Sequence, residues 1–167
     1  MTFEVGDKVV YPMHGAGIIE AIEEKEILGE KHKYYIMHLP IGDMRVMLPM
    51  ANVKEIGLRP VIEREDVPEV IKLLRAEQTK MSVNWNRRYR ANMEKMKTGD
   101  IREVAEVVRN LVIRDNEKGL STGERKMLET AKQILVSELI LVSGKTEEEV
   151  EAHLEEWLSQ PSGEEES

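Results

Sequence analysis

The chain has 167 residues, a net charge of −8 and no cysteine. The lack of cysteine excludes disulfides, cysteine nucleophiles and thiolate metal sites, and it fits a reducing cytoplasm. No apolar run approaches the ~18 residues of a membrane span. No secretory signal opens the chain, so neither membrane insertion nor secretion is predicted.

The acidic net charge is unevenly distributed along the chain. Residues 1–79 carry a net charge of −4, residues 80–132 carry +5, and residues 133–167 carry −9. Screening in physiological salt acts over ~8 Å, so a local basic surface attracts a polyanion despite acids elsewhere. The central segment is therefore a candidate nucleic-acid surface, although charges on helices are usually just solvated.

Residues 3–61 have the pattern of short strands separated by turns. Turns are predicted at His14–Gly17, Gly29–Glu30 and Ile41–Asp43, and strands over 3–11, 18–28, 34–39, 44–48 and 56–61. Four or five short strands with regular turn signals predict a small antiparallel barrel. The open edge of such a barrel can accept a strand from another protein.

From Arg64 onward the apolar spacing becomes helical. Five helices are predicted, over 68–77, from 81 or 84 to 97, and over 101–116, 121–143 and 146–158. Asp100 is a predicted N-cap, and Ser121 with Glu124 and Thr146 with Glu149 have capping-box spacing.

The segment from Asn84 to Lys97 combines one of the two tryptophans, Trp85, with five basic residues and one acid. A large ring among guanidinium groups suits nucleic acid, because the cations meet phosphates and the ring can wedge into a base step. Met81, Trp85, Tyr89 and Met93 also recur every fourth residue, which is how a helix builds a core-facing stripe. The residues alone leave both interpretations of Trp85 open.

No catalytic or metal-binding motif is found in the sequence. The turn Gly15-Ala16-Gly17 lacks the third glycine of a dinucleotide fingerprint, and a strand follows it. The four histidines show no metal-ligand spacing. The sequence therefore predicts a protein that is not an enzyme and that needs no cofactor or metal.

Four blocks of the sequence carry a resemblance to a known family. They are F-x-V-G-D-x-V-V-Y-P-x-H-G at 3–15, N-W-N-R-R-Y-R-A-N at 84–92, A-E-V-V-R-N-L at 105–111 and G-L-S-x-G-E-R-K-M-L-x-x-A-K-Q-I-L at 119–135. In collinear order from Phe3 to about Leu141, the chain resembles the CarD family (CarD/CdnL) of bacterial transcription regulators. The final helix and tail match more loosely.

The resemblance implies an α+β fold with two modules. Residues 1–62 would form a small Tudor-like antiparallel β-barrel, the RNA polymerase interaction domain, whose strand edge adds to the polymerase β subunit. Residues 63–160 would form an all-helical DNA-binding domain of about five helices, and residues 161–167 a disordered acidic tail. The implied protein is a cytoplasmic monomer whose partners are RNA polymerase and promoter DNA.

The resemblance also assigns site residues. On the DNA side, Trp85 is expected to wedge into the minor groove at the upstream edge of the −10 element and to stabilise the open complex. The matching basic positions are Arg87, Arg88, Arg90, Arg125 and Lys126. On the polymerase side the matching positions are Lys25 and Met47. Because the family often places a basic residue at both, Met47 implies a more apolar interface here.

Two other functions fit the residues. Gly99 between two predicted helices permits a helix-turn-helix repressor, which would read base edges in the major groove. Alternatively, the helical domain would bind another protein, as an adaptor without DNA contact.

Overall fold

The computed structural model describes residues 2–159, and its N-terminal part is a five-stranded antiparallel sheet. The strands are β1 (Lys8–Tyr11), β2 (Gly15–Ile27), β3 (Glu30–Leu39), β4 (Met44–Pro49) and β5 (Arg59–Pro60). Their order is β4-β3-β2-β1-β5, so β4 and β5 are the edge strands. With the helices that follow, this confirms the predicted α+β class. The tail predicted at 161–167 lies outside the described residues.

The turn between β1 and β2 lies earlier than the sequence suggests. It covers residues 12–14, while Gly15 and Gly17 belong to β2 and pair with Tyr11 and Val9. Gly17 allows β2 and β3 to approach closely and does not form a turn. A Cβ at this position would lie 2.4 Å from the carbonyl oxygen of His38. The prediction of a turn over His14–Gly17 is therefore wrong in its position.

Up to residue 159 the helical part has five long helices, as predicted, preceded by one short turn of helix. They are α1 (Val53–Ile56), α2 (Val67–Arg75), α3 (Trp85–Lys97), α4 (Ile101–Lys118), α5 (Thr122–Ser143) and α6 (Glu147–Ser159). Both predicted capping boxes form, at Ser121 with Glu124 and at Thr146 with Glu149. Asp100 caps α4 by accepting a hydrogen bond from the backbone N–H of Arg102. Gly144 ends α5 in the left-handed conformation, with φ +73°.

The described residues form two main hydrophobic cores, and helix α5 contributes to the one among the helices. One core lies in the sheet around Ile19, Tyr35 and Met37, and the other lies among the helices around Val108 and Leu135. A third, smaller cluster of Val10, Ala16 and Leu141 packs the C-terminal half of α5 against the sheet. The sheet and the helices therefore bury apolar surface against each other, which fixes the position of one relative to the other.

Polar contacts reinforce this junction. Glu138, which is 1% exposed, accepts hydrogen bonds from Nη1 and Nη2 of Arg59 at 2.9 and 2.8 Å and from the backbone N–H of Ile62 at 2.9 Å. Ser137 Oγ accepts from the backbone N–H of Ala16 at 2.8 Å, and Lys8 Nζ donates to the carbonyl oxygen of Leu141 at 3.1 Å. The bonds from Arg59 and Ile62 satisfy the buried Glu138 carboxylate, which would otherwise be costly.

Candidate nucleic-acid and polymerase interfaces

Trp85 is the first residue of α3 and lies at the surface, with 42% of its area exposed. Tyr89 and Met93, from the same every-fourth-residue series, pack partly buried against the helical core, whereas Trp85 lies outside that core. The core-stripe interpretation is therefore right for Tyr89 and Met93 but does not account for Trp85. An exposed tryptophan is available to a partner.

The indole of Trp85 is exposed but held in one position. Its Nε1–H donates to Ser121 Oγ at 2.8 Å, and its ring stacks on Tyr89 with centroids 5.1 Å apart and planes 18° apart. Ser121 in turn caps α5 by accepting from the backbone N–H of Glu124 at 3.2 Å. The start of α3 and the start of α5 thus meet at the indole, and both helix ends carry partial positive charge.

Arg88 does not belong to the exposed basic surface. It is 3% exposed and forms a bidentate pair with Glu124, with Nε–Oε2 at 2.6 Å and Nη2–Oε1 at 3.1 Å. Its Nη1 donates to the carbonyl oxygens of Ser82 and Val83 at 3.2 and 3.3 Å. The structure therefore corrects the expectation that Arg88 meets DNA phosphates: its position on α3 faces α5, so it anchors the loop before Trp85.

The pKa of Glu124 reflects this burial. Burial alone raises the pKa of a carboxyl group, but the hydrogen bonds and charge of Arg88, together with hydrogen bonds from Ser121, outweigh burial here. The net pKa of Glu124 lies below its ordinary value, so the carboxylate is ionised at neutral pH. The pair adds no net charge to the surface and acts by holding Trp85, Ser121 and the loop together.

The other four predicted basic residues are exposed on the two helices that meet at Trp85. Arg87 and Arg90 lie on the outer side of α3, and Arg125 and Lys126 lie in the first turns of α5. Four cations beside two helix N-termini form a surface that attracts phosphate groups. We call this set of residues, with Trp85, the wedge surface.

Sequence reasoning missed the residues that position the indole. Ser121 and Glu124 were recognisable as a helix cap, since their spacing is local. Their contacts with Trp85 and Arg88 join positions 36 residues apart, and no signal in the sequence links them.

The predicted polymerase-side residues share one face of the sheet. Ala21, Ile36 and Met47 lie opposite one another across β2, β3 and β4, and Met47 is 41% exposed on the edge strand. Lys25 is exposed on β2, opposite His32, and alternation along the strand puts it on the same face as Ala21. An apolar strip with a cation beyond it therefore ends at a strand edge that has no neighbour among residues 2–159.

The helix-turn-helix arrangement is disfavoured by burial. A repressor of that type would place the helix after Gly99 in the major groove. That helix is α4, which is the central helix of the domain, with Val104, Val107, Val108 and Leu111 buried. Gly99 itself is buried beside Pro12 of the turn between β1 and β2, so the turn at Gly99 is also covered.

The part of the chain that the structure describes has neither a metal site nor a membrane span. Within residues 2–159, no cluster of three His, Asp or Glu side chains has the arrangement to hold a metal ion. Over the same range, no helix has the length and apolar character needed to cross a membrane.

The chain therefore combines an antiparallel sheet that has an open edge with a helical part that has an exposed aromatic and basic surface. Residues 3–62 match the family model for the CarD-like/TRCF RID domain, and residues 69–155 match the model for the CarD C-terminal domain. The chain belongs to the CarD family, which confirms the resemblance seen in the sequence.

A named relative agrees with this assignment. A Bacillus subtilis (strain 168) protein named "Putative transcription factor YdeB" is 43% identical over 150 residues, covering 90% of this chain and 98% of its own. The solution NMR structure of the 72-residue N-terminal domain of Myxococcus xanthus CarD is 37% identical, with a TM-score of 0.31. That match covers 35% of this chain and 79% of the other.

Proposed function

We propose that this protein regulates transcription by binding the β subunit of RNA polymerase through its sheet and promoter DNA through its helical domain. Trp85 enters the minor groove at the upstream edge of the −10 element and stabilises the open complex. The protein acts as a cytoplasmic monomer and catalyses no reaction. In support, the matching family models carry the names of CarD domains, and the relative is named as a "Putative transcription factor".

The observation that carries this proposal is the exposed but fixed indole of Trp85 among exposed cations. An apolar wedge costs a few kcal/mol of lost base stacking, and a site already distorted by polymerase offsets that cost. A ring that binds distorted DNA better than regular duplex shifts the equilibrium toward the melted state. Fixing the ring beforehand reduces the entropy that is lost on binding.

The proposal also explains the combination of modules. Four exposed cations give weak, salt-sensitive and largely sequence-independent DNA binding. Attachment through the sheet raises the local concentration of the wedge surface at the promoter to the order of mM. Two modest affinities then act as one, and the position on DNA follows from the polymerase.

We expect Trp85→Ala to shorten the open-complex lifetime to the value seen without the protein, while polymerase binding is retained. The lifetime is measured by competitor challenge of promoter complexes made with the cognate holoenzyme. Val5→Ala, which truncates another exposed apolar side chain in the sheet module, is the matched control and should behave as wild type. A Trp85→Ala protein that prolongs the lifetime as well as wild type would rule out the wedge.

We expect Lys25→Glu to weaken polymerase binding several-fold, because the reversed charge would repel an acidic group on the partner. The unfolding midpoint should not change, because Lys25 is exposed. Affinity is measured by titration of immobilised holoenzyme or its β subunit. Lys54→Glu, an equal charge change at an exposed residue of α1, is the control. Equal affinities for the two variants would move the interface away from this face of the sheet.

A further inference from the structure

A second basic site lies beside the wedge surface, at the end of α4. A cavity of about 300 Å³ is bounded by the loop at residues 78–83 and by Arg114, Glu117 and Lys118 of α4. Lys80 of the loop and Lys118 are exposed, and Arg114 is half-buried in the wall. Three cations against one carboxylate give the lining a net positive charge. We call this the loop–α4 pocket.

Arg114 differs from the buried arginines of the same domain in its hydrogen bonding. Arg109 uses all three of its nitrogens within the protein, bonding Asn110 Oδ1, the carbonyl oxygen of Leu73 and Thr79 Oγ1. Arg88 is likewise engaged by Glu124 and the loop carbonyls. Within residues 2–159, Arg114 Nε is a buried side-chain nitrogen without a hydrogen-bond partner. A buried donor without a partner is unfavourable, and an acceptor brought to this guanidinium would remove that penalty.

The local charge arrangement points to an anion. Arg114 and Lys118 are four residues apart on one face of α4, and like charges at that spacing destabilise a helix. The carbonyl groups at the end of α4 carry partial negative charge, which opposes an anion, so the three cations of the pocket must outweigh it. A phosphate group suits such a pocket, since a guanidinium binds two of its oxygens in parallel and lysines add charge.

The loop connects the pocket directly to the wedge surface. Ser82 and Val83 line the pocket, their carbonyl oxygens accept hydrogen bonds from Arg88, and Trp85 follows two residues after Val83. A phosphate in the pocket and an indole in the groove are therefore held by one stretch of chain. We infer that the loop–α4 pocket binds a backbone phosphate of the DNA duplex that Trp85 enters, through Lys80, Arg114 and Lys118. This inference rests on the proposed function.

The test is the salt dependence of binding to a fluorescein-labelled promoter duplex, measured by anisotropy with the full chain at 20–150 mM salt. Each phosphate contact contributes about 0.9 to the slope of log K against log salt. The double variant Lys80→Ala/Lys118→Ala, which removes exposed side chains, should lose about 1 from that slope. Arg114→Gln should lose a similar amount. The control is the double variant Lys54→Ala/Lys72→Ala, which removes two exposed lysines that lie outside the pocket.

The outcomes separate the pocket from the wedge. A smaller slope in both pocket variants, with an unchanged slope in the control, supports the inference. Duplex binding that is intact and equally salt-dependent in the Lys80→Ala/Lys118→Ala variant overturns the pocket while leaving the proposed function in place. No duplex binding by the wild-type protein, alone or on the polymerase–promoter complex, overturns both. Calorimetric binding of inorganic phosphate that Arg114→Gln abolishes, with an unchanged DNA slope, overturns the assignment to DNA.

Discussion

The Arg88→Ala variant is expected to lose about 3–5 kcal/mol of unfolding free energy, because it leaves Glu124 buried and without its cationic partner. Substitution of a surface residue seldom lowers the unfolding free energy by this amount. The result therefore distinguishes an arginine in a buried ion pair from an exposed arginine that binds phosphate. Urea denaturation followed by circular dichroism gives the free energy. Arg87→Ala removes the neighbouring exposed arginine and should change stability by less than about 0.5 kcal/mol. Equal effects at the two positions would contradict the buried-pair assignment.

The pH dependence gives an independent check of the same pair. Because the pKa of Glu124 is lowered in the folded protein, the pair stabilises the fold above the unfolded carboxyl pKa of about 4.3. That contribution is lost as the pH falls through the lower, folded pKa. In Arg88→Ala the carboxyl keeps only the burial that raises its pKa and the Ser121 hydrogen bonds. The stability gap between wild type and Arg88→Ala should therefore narrow as the pH falls below about 4.

The Glu138→Ala variant is expected to lose about 3 kcal/mol and to loosen the sheet from the helices. The estimate lies at the low end for a broken buried pair because Arg59 is 26% exposed and keeps bonds to the carbonyl oxygens of Gly99 and Pro60. Glu129→Ala removes an exposed carboxylate from the same helix and is the control.

Glu138→Ala should also impair function in protein that is still folded, because it changes how firmly the helices are held to the sheet. At a temperature where the variant is folded, we expect faster hydrogen exchange at residues 59–62 and a reduced open-complex lifetime, with polymerase binding retained. Both effects follow because the sheet would attach to polymerase while the wedge surface was no longer held at a fixed distance. Wild-type exchange rates at 59–62 would show that the pair does not hold the junction.

Features that depend on neighbouring residues were predicted correctly, whereas features that depend on long-range contacts were not. The caps at Ser121 and Thr146 are determined by side chains three residues apart, so they were visible. The role of Gly17 depends on the carbonyl of His38 in another strand, and the sequence suggested a turn instead. The predictions therefore identify the strands and helices correctly but place their first and last residues less accurately.

The candidate site shows the same division. The exposure of Arg87 and Arg90 could be expected of charged residues, which are seldom buried without a partner. Arg88 is an arginine of the same basic segment, and only the approach of Glu124 from α5 decides that it is buried. Composition and spacing identify a basic helix, while tertiary packing decides which of its cations reach solvent.

Helix α5 spans the distance between the two interfaces. Its N-terminal cap, Ser121, touches the indole of Trp85, and Glu138, seventeen residues later, is bonded to the sheet. At 1.5 Å per residue, this length of helix measures about 26 Å. Under the proposed function, the length of α5 sets the distance between the polymerase and the point where the wedge surface contacts the DNA duplex. A protein built in this way selects a position on DNA by measured distance, without reading the bases there.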